Sequence, residues 1–139
     1  NKMMNPFLTE NRVRGVMYYG KMDDFIDDIK LAQYQSFASH KGRVLVYGVG
    51  ASYIHKGDTL IYCDLARWEI QLRYRKGMPN FKQDNDDEDV LKKIKRNFFI
   101  EWRIADKHKM DIFENIDYFL DSNQEGNPKI VTGNALKSA

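Results

Sequence analysis

The chain has 139 residues, 42% of them hydrophobic, which is enough for one ordinary core and therefore one domain. A formal net charge of +2 makes no case for nucleic acid or an anionic membrane surface, and no apolar run reaches the length of a membrane span or a signal segment. A single cysteine, Cys63, excludes a disulfide framework and a cysteine-based metal site and points to a reducing, cytoplasmic setting.

In chain order, Arg12 to Tyr19 carries Val13, Val16, Met17, Tyr18 and Tyr19 and reads as a strand closed by Gly20. Asp23 or Asp24 then caps an expected helix whose apolar residues Phe25, Ile26, Ile29, Ala32, Tyr34 and Phe37 follow helical spacing, and Gly42 ends it. Arg43 to Tyr47 reads as a buried strand, Gly48 to Ser52 as a turn, and Thr59 to Cys63 as a second buried strand. Asp64 to Arg75 has a helical pattern with Leu65, Trp68 and Leu72 on one side, and Gly77-Met78-Pro79-Asn80 breaks it. The acidic stretch Gln83 to Asp89 is a solvated loop that caps the longest expected helix, Val90 to about Lys109, with an apolar stripe of Leu91, Ile94, Phe98, Trp102 and Ala105. Ile116 to Leu120 and Ile130 to Val131 are short strand-like steps before a final helix start. The chain opens at Asn1 and closes on that helix start, so it reads as a fragment of a longer protein.

Two features point to an anion. Gly48, Gly50 and Ser52 form a turn in which backbone amides approach a phosphate closely, and Arg67, Arg73 and Arg75 supply guanidinium groups from the following helix. If the two buried strands are parallel neighbours, that turn and that helix start share one rim. A ligand-free strand-to-loop turn and a solvated helical face have the same pattern, and they are the simpler readings, because the third glycine of a dinucleotide fingerprint and the Gly-Lys-Ser/Thr of a phosphate loop are missing. The basic residues Lys92, Lys93, Lys95, Arg96, Arg103, Lys107 and Lys109 of the long helix face an acidic partner or balance the acidic loop. They lack the interleaved aromatics of a single-stranded nucleic-acid platform. His40, His55 and His108 are too dispersed for metal ligation and read as surface or capping residues. Trp68, Phe98, Phe99 and Trp102 read as core, and no serine or cysteine nucleophile stands in a recognisable motif.

Val44-Leu45-Val46-Tyr47-Gly48-Val49-Gly50-Ala51-Ser52, the run from Asp64 to Phe81 and the run from Phe98 to Lys109 resemble the region upstream of the cupin domain in long bacterial class I mannose-6-phosphate isomerase-like proteins. The resemblance extends from Pro6 to Gly133. It implies a downstream cupin domain that holds a divalent metal, zinc, and the isomerase chemistry, with no cofactor in this chain. That upstream region is itself similar to uridine-kinase-like phosphotransferases, which implies that Val44 to Tyr47 and Thr59 to Cys63 are neighbouring strands and that Leu65 to Arg75 lies near a phosphate donor. The phosphate loop of such kinases is not in this sequence.

The expectation is thus one α/β domain with a partly parallel sheet flanked by helices, a kinase-like segment without its phosphate loop. It is expected to be a non-catalytic module of sugar phosphate metabolism, structural or binding a phosphorylated sugar or nucleotide weakly, with its own cupin domain as partner. The alternatives are the lid-bearing half of a small-molecule kinase and a homodimerisation module using the long helix.

Overall fold

The computed structural model describes residues 2–39 and 42–139. In chain order the helices and strands are α1 (Asp28–Ala38), α2 (Ala51–Ile54), β1 (Ile61–Asp64), α3 (Arg67–Arg75), α4 (Val90–Arg96), α5 (Trp102–Ile112), β2 (Tyr118–Asp121), β3 (Lys129–Thr132) and α6 (Gly133–Lys137). The sheet order is β1-β2-β3, with β1 and β2 parallel and β3 antiparallel to β2. The fold is therefore mixed α/β with a small mixed sheet. No helix among the described residues is long and apolar enough to cross a membrane.

The expected long helix is the spine of the molecule. Asp89 caps it by accepting the Leu91 amide at 3.0 Å, and α4 runs into α5 through a π-turn over Asn97–Glu101. A π-turn adds a residue to one turn, so a strict 3.6-residue period cannot hold across it. The buried positions are Lys93, Lys95, Arg96, Asn97, Ile100, Trp102 and Ile104, while Leu91, Phe98 and Ala105 of the expected stripe are exposed. Phe99 O accepts the Tyr18 amide at 2.9 Å, so the irregular N-terminal segment is tied to the π-turn itself.

The basic side of this helix is not a solvated face. Lys93 is 1% exposed and donates to the carbonyls of Met78 (3.2 Å) and Asp86. Lys95 Nζ donates to Thr9 O at 2.8 Å and Asn11 O at 2.6 Å, and Lys107 Nζ to Tyr19 O and Gly20 O. Each ammonium meets unpaired backbone carbonyls of segments without regular structure, which satisfies both groups and fixes those segments to the spine.

Three expected elements take another form. Residues 12–19 make no strand; Val16 N donates to Phe7 O at 2.9 Å and the segment follows the helix instead of a sheet neighbour. Residues 43–47 make no strand and are not buried, with Leu45 and Tyr47 each 90% exposed. An apolar run becomes a strand only when a neighbour completes its ladder, and β1 has β2 as its partner. The first expected helix begins later than Asp23 or Asp24. A 3-10 turn spans Met22–Phe25, and the cap of α1 is Asp27, which accepts the amides of Ile29 and Lys30 at 3.1 Å. Ile29, Tyr34 and Phe37 on α1 stay exposed. Trp68 is 65% exposed, against the expected core position, whereas Trp102 is buried. His40 lies outside the described residues.

Gly133 starts α6 where the chain passes tightly against Ile116 and Asp117, just before β2. Its amide donates to Asp117 O at 2.6 Å, and a Cβ at this position would collide with the Ile116 carbonyl oxygen. Gly133→Ala is therefore expected to destabilise the chain by about 1–3 kcal/mol, the usual cost of forcing extra atoms into a packed site. Urea unfolding measures it, and a midpoint equal to that of the parent chain would contradict the close approach.

Candidate functional site

The residues expected to form an anion-binding rim are placed on different elements with different partners. Gly48 and Gly50 have positive φ (122° and 82°), and Gly48 O accepts the Ala51 amide at 3.2 Å, so the predicted tight turn is present. Ser52 follows in α2 and bonds to His108 on α5. Arg67, at the start of α3, pairs with Asp106 and lies over the Trp102 ring at 5.2 Å. Arg73 Nε donates to Glu69 at 2.8 Å and its Nη2 to Ser122 O at 3.1 Å, and Arg75 lies over Trp68 at 5.8 Å. Ser52 and Arg67 thus both reach α5, but at positions two apart. Successive helical residues turn by about 100°, so the two contacts fall on nearly opposite sides of the helix. Residues 44–47 stand outside the sheet, so they and β1 do not share a strand-end rim.

What Ser52 lines instead is a cleft of about 620 Å³ between α2 and the C-terminal end of α5, bounded by Tyr53, Lys56, Leu60, His108 and Asp111. Ser52 Oγ and His108 Nε2 are 3.0 Å apart. The Tyr53 ring stacks on the imidazole with centroids 5.1 Å apart and an interplanar angle of 20°. The Tyr53 hydroxyl donates to Asp23 Oδ2 at 3.2 Å, which anchors the stacking ring from the other end. Burial pushes the Tyr53 phenol up to about 12, helped by the Asp23 carboxylate, so the hydroxyl keeps its proton and remains a donor. Burial likewise moves the His108 pKa below its ordinary value, against the smaller pull of Asp111 and Asp23. A neutral imidazole at neutral pH follows, and one ring nitrogen is then free to accept a proton. Among the described residues no group of three or more histidine, cysteine, aspartate or glutamate side chains could hold a metal ion.

Over residues 1–139 the chain matches the model of a family described as "Domain of unknown function (DUF8485)". The chain belongs to that family. No curated protein and no solved structure matches it.

In this DUF8485 chain the sequence pattern names Ser52 only as a phosphate contact and His108 only as a surface or capping residue, and their meeting across 56 positions is a product of the fold. A second arrangement also escapes the sequence. Lys109 Nζ bonds Asp64 at 3.0 Å and sits 5.2 Å and 5.0 Å from the ring centres of Tyr62 and Phe119, which occupy register-paired positions on β1 and β2. Aromatic faces attract a cation, so this contact docks α5 on the sheet. The only hint in the sequence is the aromatic residue in each of two strand-like runs.

Proposed function

We propose that the chain is a structural docking module whose exposed apolar residues are covered by a neighbouring protein surface. One observation carries this reading. The accessible surface is 10198 Å², whereas a folded monomer of 16.4 kDa is expected to expose roughly 7,500 Å². The surplus of roughly 2,700 Å² exceeds what one partner contributes to a standard interface, about 800 Å², and counted for two partners it reaches the upper end of permanent assemblies, about 5,000 Å² and above. It is strongly apolar in places: Val44, Leu45, Tyr47 and Val49 follow one another in the segment before α2, Ile29, Tyr34 and Phe37 lie on α1, and Ile130 and Val131 on β3. Apolar patches of this extent on a monomer mark interaction surfaces.

The resemblance to isomerase-like proteins of sugar phosphate metabolism supplies the expected occupant, the cupin domain that follows this region in such proteins. On that reading the divalent metal and the isomerase chemistry stay with the cupin. Weak phospho-ligand binding by Gly48, Gly50, Ser52, Arg67, Arg73 and Arg75 ranks below docking, because Arg67 and Arg73 face carboxylates of the chain and Arg75 lies over Trp68.

The isolated chain is expected to bind the apolar dye ANS and to self-associate with rising concentration in sedimentation velocity. Leu45→Asp combined with Tyr47→Asp should lower both without loss of helical circular dichroism, since neither side chain packs against the fold. A chain that stays monomeric and silent towards ANS would sink the docking reading.

A further inference from the structure

We propose that Ser52 and His108 form a nucleophile and general-base pair that takes acyl groups from neutral or cationic esters entering the cleft between α2 and α5. This goes beyond docking, which draws on the apolar surface and leaves the cleft unexplained. Ser52 Oγ lies 3.0 Å from His108 Nε2, within the distance at which a base takes a proton during attack. The imidazole is held in that pose: Tyr53 stacks on its face, and Asp23 holds the Tyr53 hydroxyl at 3.2 Å. Both members of the pair line a space large enough for a small ester, so the hydroxyl is reachable by a substrate.

The charge of the cleft selects the substrate class. Asp111, Glu114 and Asp117 line it, and among the described lining residues Lys56 supplies the one ammonium. An anionic or phosphorylated ester is disfavoured there, and a neutral or cationic one is accepted.

The step balances within the chain, the ester and water. Nε2 accepts the Ser52 hydroxyl proton as Oγ bonds to the carbonyl carbon. The bond from that carbon to the alcohol oxygen then breaks, and the leaving alkoxide takes the proton from Nε2. Water repeats the sequence in the second half: it gives its proton to Nε2, attacks the acyl carbon, and Ser52 Oγ leaves with the proton restored. The carboxylic acid is released and both residues return to their starting state.

The test exposes the full chain to 4-nitrophenyl acetate and, separately, to an alkyl fluorophosphonate, with the modified residue located by peptide mass spectrometry. In the parent chain Ser52 should carry the acetyl or phosphonyl group. His108→Gln should slow its modification by about 100-fold or more, the usual range for loss of a general base. His108→Asn gives the same reading if His108→Gln does not fold, with circular dichroism reporting the fold. Acetylcholine should acylate Ser52 faster than an anionic succinate half-ester of a simple alcohol. Modification confined to lysine or tyrosine side chains of the parent chain overturns the proposal without any variant. So does Ser52 modification that is equally fast in a folded His108 variant, and a preference for the anionic ester overturns the assigned substrate class.

Discussion

Trp102→Ala is expected to cost about 3–5 kcal/mol, the range for removing a large aromatic side chain from a packed interior. Trp102 is 9% exposed at the start of α5, just after the π-turn. Its Nε1 donates to the Asn97 side-chain oxygen at 3.0 Å, and the Arg67 guanidinium covers its ring at 5.2 Å. Truncation would leave a cavity between α3 and the spine and remove one of the two donors to the buried Asn97 oxygen, the other being the Tyr74 hydroxyl at 2.7 Å. Trp102→Phe is intermediate, since it keeps a six-membered ring in the site and loses the five-membered ring with its N–H. Trp68→Ala is the matched control, because that ring is mostly in solvent and an ordinary surface substitution stays within about 0.5 kcal/mol. Urea unfolding of the three variants gives the ranking Trp102→Ala, Trp102→Phe, Trp68→Ala. A loss under about 1 kcal/mol for Trp102→Ala would put the ring at the surface.

The helices that the sequence makes legible are those stabilised by their own residues, and the legible strands are those whose apolar runs find a neighbour. The spine over 90–112 announces itself through apolar periodicity and the Asp89 cap, α3 through its pattern and the break at Gly77, and β1, β2 and β3 through short apolar runs. Legibility fails where a distant partner decides. Residues 43–47 have the composition of a strand, but composition cannot say whether a neighbour will pair with them. Lys93 and Lys95 look like solvent residues because lysine is almost never fully buried unless paired. Their partners here are backbone carbonyls, as far away as Thr9, which is 86 positions from Lys95 and carries no signal of the contact. The π-turn shifts the buried face for a similar reason, since Phe99 O is engaged by Tyr18 from outside the helix. At the site, the sequence singles out Ser52 and Arg67 as candidate anion contacts. Their partners, His108 and Asp106, become visible only once α5 lies between α2 and α3.

The Arg96–Glu101 pair is expected to be far costlier to halve than to remove. Glu101 Oε1 accepts from Arg96 Nε at 2.6 Å across the π-turn, with both side chains mostly buried, and the Asn97 amide donates to Glu101 Oε2. Burial raises the Glu101 pKa, and the Arg96 hydrogen bond and charge pull it back only in part. Glu101→Leu would take the carboxylate from a guanidinium that has given up most of its water and that otherwise donates to Met4 Sδ at 2.9 Å, at an expected cost of about 3–5 kcal/mol, whereas Arg96→Met with Glu101→Leu should come close to the parent stability or above it. The pH dependence has a definite sign. A carboxyl whose folded pKa exceeds its unfolded value of 4.5 favours the native state most below that value, and the contribution is lost as pH rises through the folded pKa. The difference in unfolding free energy between the parent chain and Glu101→Leu should therefore grow as pH falls from 7 towards 4.5. Taking the difference removes the acid loss from Asp24 and Asp89, whose pKa values are lowered by hydrogen bonds to Tyr18 and Arg12 and which titrate alike in both proteins. Urea unfolding across that range decides the matter: a difference that shrinks on acidification, or a double variant no more stable than Glu101→Leu, would show that the ion pair stabilises the spine outright.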